Sequence, residues 1–325
     1  MLTRVSRHLL IDTDTASDDA VALIMALRHP DVEVLAITAV AGNMDVHQAT
    51  QNALYTAEIC GSPVPVFVGA EKPLRRSPCR ADWFHGKDGL GEHGFSPSRR
   101  KAETSSAIDA IVDTIDSHPG VVLVTLGPLT NIALALQRKP EIAGKVSRLV
   151  LMGGAPCCEG NVTPAAEYNI WCDPEAARLV LRGGLPVELA GWHLSRGEAV
   201  LNTADIQHIL SFNNPIAQFA IESNSHAQQA FFVQTGEHGI ALADPVAMAV
   251  ALNPSVVTRQ SEHLVEVEIE SELARGMTIV DRLNVATDQR NRDVWASAIT
   301  ARQMAKICWT IDNIRWKKTL FEALS

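Results

Sequence analysis

Apolar positions in the first two thirds of the chain come in short runs, each followed by a longer stretch with helical spacing. The run at 8–11 ends on a carboxylate, and the stretch 18–28 opens on Asp18 and Asp19, acids that suit a helix N-terminus. The same alternation predicts strands at 32–40, 64–68, 121–126, 146–152 and 186–190. Helices are predicted between them at 48–60, 105–117, 129–137 and 173–182. Gly127-Pro128 stops one strand and Gly153-Gly154 another.

Beyond residue 200 the pattern turns mainly helical, with helices predicted at 205–212, 216–234 and 244–252. An antiparallel strand pair is expected at 265–269 and 277–280, then a helix at 294–307 and a short closing helix. Strands alternating with helices imply βαβ units. The expected fold class is α/β: an open, mostly parallel sheet flanked by helices, with a mainly helical C-terminal elaboration. No linker composition interrupts residues 1–325, so a single domain is expected. In such sheets ligands bind beyond the carboxyl ends of the strands, where the chemistry should be sought.

Composition narrows the function. The 325 residues are 46% apolar and 20% charged, enough to bury a large core and too apolar for a disordered chain. Asp plus Glu number 37 against 28 Lys plus Arg, and a net charge of −9 is a poor match for a polyphosphate backbone. Nucleic-acid binding is therefore not expected. The longest apolar run, 20–27, is far short of the roughly 18–20 residues of a membrane span. The three apolar residues before Asp12 are too few for the core of a secretory signal. Six cysteines, at 60, 79, 157, 158, 172 and 308, show neither CxxC nor zinc spacing. A cytoplasmic protein with reduced thiols is the expectation.

The sharpest chemical feature is Asp12-Thr-Asp14-Thr-Ala-Ser-Asp18-Asp19, four carboxylates in eight residues. Two leave a strand and two enter a helix, so all can converge, and without a cation they would raise one another's pKa. A hard divalent cation such as Ca²⁺, which takes six to eight oxygen ligands, resolves the repulsion. Helix capping alone would need only one or two of these acids. Other polar groups sit at predicted strand ends: Asn43 after Ala41-Gly42, then Asn161, Glu167 and Asn169 beyond Met152-Gly153-Gly154. Asp244-Pro245 opens an apolar helix. Each has an ordinary structural role available; jointly, amides and acids beside a metal cluster suit a sugar.

These residues resemble the nucleoside hydrolase family (inosine/uridine-preferring N-ribohydrolases). The resemblance rests on Asp12 to Ala20, on Val40-Ala41-Gly42-Asn43 and on Leu126-Gly127-Pro128-Leu129-Thr130-Asn131. It continues through Leu151-Met152-Gly153-Gly154, Gly160-Asn161, Glu167-Tyr168-Asn169, Asp173-Pro174-Glu175-Ala176-Ala177 and Asp244-Pro245. It implies a Rossmann-like fold and a Ca²⁺-dependent enzyme that splits ribonucleosides into ribose and free base, assembled as a homodimer or homotetramer. By position, Asp14 would be catalytic base and metal ligand, with Asp19, Asp244 and the Leu126 carbonyl completing the metal set. Asp18 and Asn43 would hold the ribose 2′ side. Asn161, Glu167, Asn169 and Met152 would take the remaining hydroxyls and the sugar face. Asp12 would orient its neighbours.

The departure is on the leaving-group side. Members that prefer inosine and uridine carry a His immediately before the last metal Asp, where this chain has Ala243. Candidates for that role are His238 and the Trp83-Phe84-His85 stretch; the only tyrosines are Tyr55 and Tyr168. Two alternatives follow: hydrolysis of another N-ribosyl compound, or a non-catalytic ribose- or nucleoside-binding protein. The run Gly89-Leu-Gly91-Glu-His-Gly94 matches GxGxxG but follows a polar loop, not a strand, and predicts no dinucleotide site.

Overall fold

The computed structural model describes residues 7–301 and 304–325. Six strands, β1 (Arg7–Thr13), β2 (Val32–Ala39), β3 (Val66–Val68), β4 (Val122–Thr125), β5 (Arg148–Met152) and β6 (Val187–Ala190), pair in parallel in the order β3-β2-β1-β4-β5-β6. That is the doubly wound order, whose direction reverses between β1 and β4 and opens a crevice at their carboxyl ends.

Side chains alternate across the sheet. Leu9 and Ile11 of β1 face one core, shared with helices Ser17–Leu27, Val46–Ile59, Ala243–Leu252 and Asn313–Leu324. Leu10 faces the other, under helices Ala107–Ser117, Thr130–Arg138 and Pro174–Arg182. Each fully buried Leu or Ile contributes about 1.5–3 kcal/mol. Helices Ser17–Leu27 and Ala243–Leu252 are rich in Ala and buried along nearly their whole length. Their packing brings two helix N-termini, one bearing Asp18 and Asp19 and the other Asp244, to the same point.

The C-terminal part contains more strand than its sequence suggests. The expected antiparallel pair forms, with Val265 opposite Val280 and Val267 opposite Thr278, but its first strand, β7, starts at Val257 and runs to Val267. The helix expected at 294–307 ends at Ala301, and Met304–Ile311 is a strand, β9, inserted between β6 and β7. There Ala305 and Ile307 are buried while Met304 and Lys306 are exposed, the period-two pattern of a strand. The eighth strand, β8 (Thr278–Val280), closes that edge. The helix expected at 216–234 is likewise two helices, Pro215–Glu222 and Ser225–Thr235. Buried Asn224 separates them, its Nδ2 donating to the carbonyls of Ser17 (3.2 Å) and Ala220 (3.0 Å). Among the described residues no helix is long and apolar enough to cross a membrane.

Candidate active site

The site is built where β1 and β4 end. Strand β1 delivers Asp12 and Thr13, and Asp14 follows directly; all are fully buried. Asp12 Oδ1 accepts from Thr38 Oγ1 (2.5 Å) and Asn131 Nδ2 (2.8 Å), tying β1 to β2 and to the Thr130–Arg138 helix. Burial pushes its carboxyl up to about 7, against those two hydrogen bonds.

Asp14 is pinched between two glycines. A Cβ on Gly42 would stand 2.1 Å from Asp14 Oδ2, and one on Gly127 2.7 Å from Oδ1. Only residues without a side chain permit that approach. Asn43 N–H donates to Oδ2 at 2.5 Å, while Oδ1 is buried with no hydrogen-bond partner. Burial, then the Asp19 charge, holds this carboxyl well above its ordinary range.

Asp19 has a double role. Its Oδ2 accepts from Ala16 N–H (2.9 Å), as a helix-capping acid does, and its Oδ1 accepts from Thr13 Oγ1 (2.5 Å). Its carboxyl is pushed up to about 6 by burial and by the Asp18 charge. Asp18, Asp19 and Asp244 each offer a carboxylate oxygen within 4.8 Å of the other two. Asp244 is raised well above the carboxylate range by burial and then by the charges of Asp18, Asp19 and Asp14. Four crowded acids, three of them buried and one with an orphaned oxygen, form a donor set that fits a hard divalent cation. The tight trio includes Asp18, to which the family resemblance gave a ribose role and not a metal one, while the Leu126 carbonyl accepts from Asn169 Nδ2 at 2.6 Å.

A cavity opens above this cluster. Of the residues singled out in the sequence, Asp18, Asn43, Leu126, Met152, Asn161, Glu167, Asn169 and Asp244 all line it. Glu167 starts the short Tyr168–Cys172 helix, and its carboxylate accepts from the N–H groups of Gly154 (2.7 Å), Asn169 (2.8 Å) and Ile170 (3.2 Å). Asn161 Oδ1 accepts from Tyr168 N–H at 2.9 Å. These bonds hold the polar wall rigid.

His238 is exposed and stacks on Phe232, with ring centroids 4.4 Å apart; it is not among the cavity-lining residues. His85 is, buried at the end of the Asp82–His85 helix, with Nδ1 2.8 Å from Ser17 Oγ and 3.9 Å from Asp18 Oδ1. Sequence reasoning missed Trp192, Phe231 and Gln234 in the lining. Trp192 lies just past the end of β6 and was findable by the strand-end rule; Phe231 and Gln234 come from a helix face with no distinguishing spacing. The Gly89–Gly94 run is loop, with Gly89, Gly91 and Gly94 all at positive φ and no strand before it.

Residues 9–313 match the family model described as inosine-uridine preferring nucleoside hydrolase. The pyrimidine-specific ribonucleoside hydrolase RihA of Shewanella baltica is 39% identical over 303 residues, covering 89% of this chain and 91% of that protein. Among solved structures, a plant nucleoside hydrolase, the PpNRh1 enzyme, superposes with a TM-score of 0.88 at 31% identity, over 98% of both chains. A purine-preferring ribonucleoside hydrolase from Gardnerella vaginalis gives 0.86 at 30% identity, also over 98% of both. The signature at the end of β1, the doubly wound sheet and these matches agree: the chain belongs to the inosine-uridine preferring nucleoside hydrolase family.

Proposed function

We propose that this protein hydrolyses the N-glycosidic bond of ribonucleosides, releasing ribose and a free nucleobase, with Ca²⁺ in its acidic cluster. The observation that carries the reading is a cavity floored by Asp18 and Asp244, with Asp19 offering an oxygen within 4.8 Å of both and the buried Asp14 close enough for its charge to raise Asp244. The carboxylates of Asp14, Asp19 and Asp244 and the Leu126 carbonyl would hold the ion, which supplies a Lewis acid and a grip on vicinal hydroxyls.

Asp14 is the base. Its partnerless Oδ1 is available to take the proton of the attacking water, and Asn43 N–H fixes the orientation of the other oxygen. Asp18 and Asn43 bind the ribose 2′ side. Asn161, Glu167 and Asn169 take the other hydroxyls, and Met152 packs on the sugar face. The ring of carboxylates favours the positive charge that develops on the sugar as the bond breaks. Asp12, locked by Thr38 and Asn131, positions the strand end that carries Asp14. His238 has no part in this arrangement. The same reading takes the whole chain as one catalytic domain, acting in the cytoplasm as a homodimer or homotetramer; the family resemblance alone supports these last points.

The test is a panel of purine and pyrimidine ribonucleosides plus 4-nitrophenyl riboside, assayed with Ca²⁺ and with a chelator. Turnover that the chelator abolishes and Ca²⁺ restores supports the reading. Tight nucleoside binding with no turnover of any compound would leave a binding protein in its place.

A further inference from the structure

The glycine run Gly89-Leu-Gly91-Glu-His-Gly94 lies just after the Asp82–His85 helix, whose Trp83, Phe84 and His85 line the cavity. The segment is tied to itself. Asp88 Oδ1 accepts from Leu90 N–H (2.8 Å) and Glu92 N–H (3.0 Å), and Gly91 N–H donates back to the His85 carbonyl (3.0 Å). A shift of Asp88 is therefore passed to the end of the helix that forms this wall of the cavity.

One side chain joins that loop to the catalytic turn. Asn52, 3% exposed on the Val46–Ile59 helix, donates from Nδ2 to the Thr15 carbonyl at 2.9 Å and to the Asp88 carbonyl at 2.9 Å. Thr15 directly follows Asp14. An Asn amide has two N–H donors, and both are used here. Gln48 Nε2 donates to Asn52 Oδ1 at 2.9 Å, so the three partners admit only this orientation of the amide. Gly89, at φ +73°, packs on the same residue: a Cβ there would stand 3.0 Å from Asn52 Nδ2 and 2.8 Å from Met44 Sδ. The glycine that matched a nucleotide motif in the sequence is needed for this close approach.

We propose that Asn52 is a positioning residue: it holds the wall of Trp83, Phe84 and His85 in register with the turn that carries Asp14, so that wall and floor meet the substrate as one preformed site. The proposal rests on the hydrolase reading and adds to it a residue that does not line the cavity. Without the amide, the carbonyls of Thr15 and Asp88 lose this donor and the loop is free to drift from the turn. A misplacement of about 1 Å in such a site costs roughly a hundredfold in rate.

Asn52→Ala and Asn52→Asp test this with the ribonucleoside panel and 4-nitrophenyl riboside in the presence of Ca²⁺. Aspartate keeps the shape of the side chain and removes both donors. Either change should lower kcat/KM roughly 10- to 100-fold. Thr50→Val controls for simple destabilisation: it removes a buried bond from Thr50 Oγ1 to the Val46 carbonyl (2.6 Å) in the same helix, away from the loop, and should leave kcat/KM unchanged. A second readout is independent of activity. Lys87 is exposed within the loop, and tryptic cleavage after it, followed by mass spectrometry, should be faster in both Asn52 variants and not in Thr50→Val. Gly89→Ala should reproduce both changes from the loop side, and combined with Asn52→Ala it should cost less than the product of the single effects, as coupled neighbours do.

Asn52 variants that keep the parent's kcat/KM, or lose no more of it than Thr50→Val, overturn the proposal and leave the hydrolase reading standing. Activity lost while Lys87 stays protected also overturns it, because the loop would not have moved. A parent that cleaves no riboside, 4-nitrophenyl riboside included, removes the hydrolase reading and this role with it.

Discussion

Asn169 places its Nδ2 2.6 Å from the carbonyl oxygen of Leu126, the backbone atom assigned to the metal, and 3.2 Å from the sulfur of Met152. One amide thus braces a strand end, a proposed ligand and the sugar-packing residue. Asn169→Ala should weaken Ca²⁺ binding and kcat/KM by roughly 10- to 100-fold, as loss of a ligand's supporting hydrogen bond does. Calcium titration monitored by calorimetry, alongside the ribonucleoside assay, checks both; unchanged affinity would mean that Leu126 is held by its strand alone.

Asp14→Asn keeps the side chain's size and removes its charge and basicity. Turnover should fall roughly 10²–10⁴-fold. In chelator the variant should melt at or above the temperature of the parent, because one of four crowded carboxylates has lost its charge. A thermal melt paired with kinetics separates the two effects, and a variant that lost both activity and stability would make Asp14 a structural residue.

Calcium itself should raise the melting temperature by several degrees at a hundredfold excess over its dissociation constant, a gain of about 2.7 kcal/mol. The Asp244→Asn variant should lose most of that increment. Differential scanning calorimetry with and without chelator gives the answer, and an ion-independent melt would argue against a cation at this cluster.

Gly42→Ala tests the pinch on Asp14 directly. The added methyl would sit 2.1 Å from Asp14 Oδ2 and 2.7 Å from Pro128 Cδ, so Asp14 has to move. Displacement of a catalytic group by about 1 Å costs roughly a hundredfold in rate. Circular dichroism should show an intact fold while activity falls; full activity would show that the pinch yields without consequence.

Arg196 stacks over the Trp192 ring at 4.8 Å and donates from Nε to Glu237 Oε1 at 2.8 Å. That hydrogen bond, outweighing partial burial, holds the Glu237 carboxyl below its ordinary value. A carboxyl depressed in the folded state stabilises above its unfolded pKa, and the contribution is lost as pH falls through the folded value. Both side chains are partly exposed, so the pair contributes about 1 kcal/mol or less. Arg196→Gln should therefore narrow the stability difference between neutral and acidic pH in urea titrations, and should raise KM by loosening Trp192.

Much of the site was legible because its acids cluster in sequence. Asp12 to Asp19 spans a strand end and a helix start, and both ends are marked by the change from apolar run to carboxylate. Asn43, Glu167 and Asp244 could be found because they follow strands or open a helix. Phe231 and Gln234 could not be ranked, since an aromatic or amide residue on a helix reads the same whether it faces a cavity or a neighbour; Trp192, just past the end of β6, was open to the strand-end rule. Strand β9 was hidden for a different reason. Met304-Ala-Lys-Ile-Cys308 is a short, mostly apolar run, and such a run does not declare its period; pairing with β6 and β7 decides it.

The two Ala-rich helices that carry Asp18, Asp19 and Asp244 to one point lie far apart in the chain, at Ser17–Leu27 and Ala243–Leu252. Their meeting is among the contacts of longest sequence separation in the molecule, and such contacts are costly to close early. An ion that bridges them would bind nothing in a chain still searching for its fold, and would act after the helices have docked. Calcium should therefore lengthen the lifetime of the native state by slowing unfolding, with little effect on how fast that state is reached.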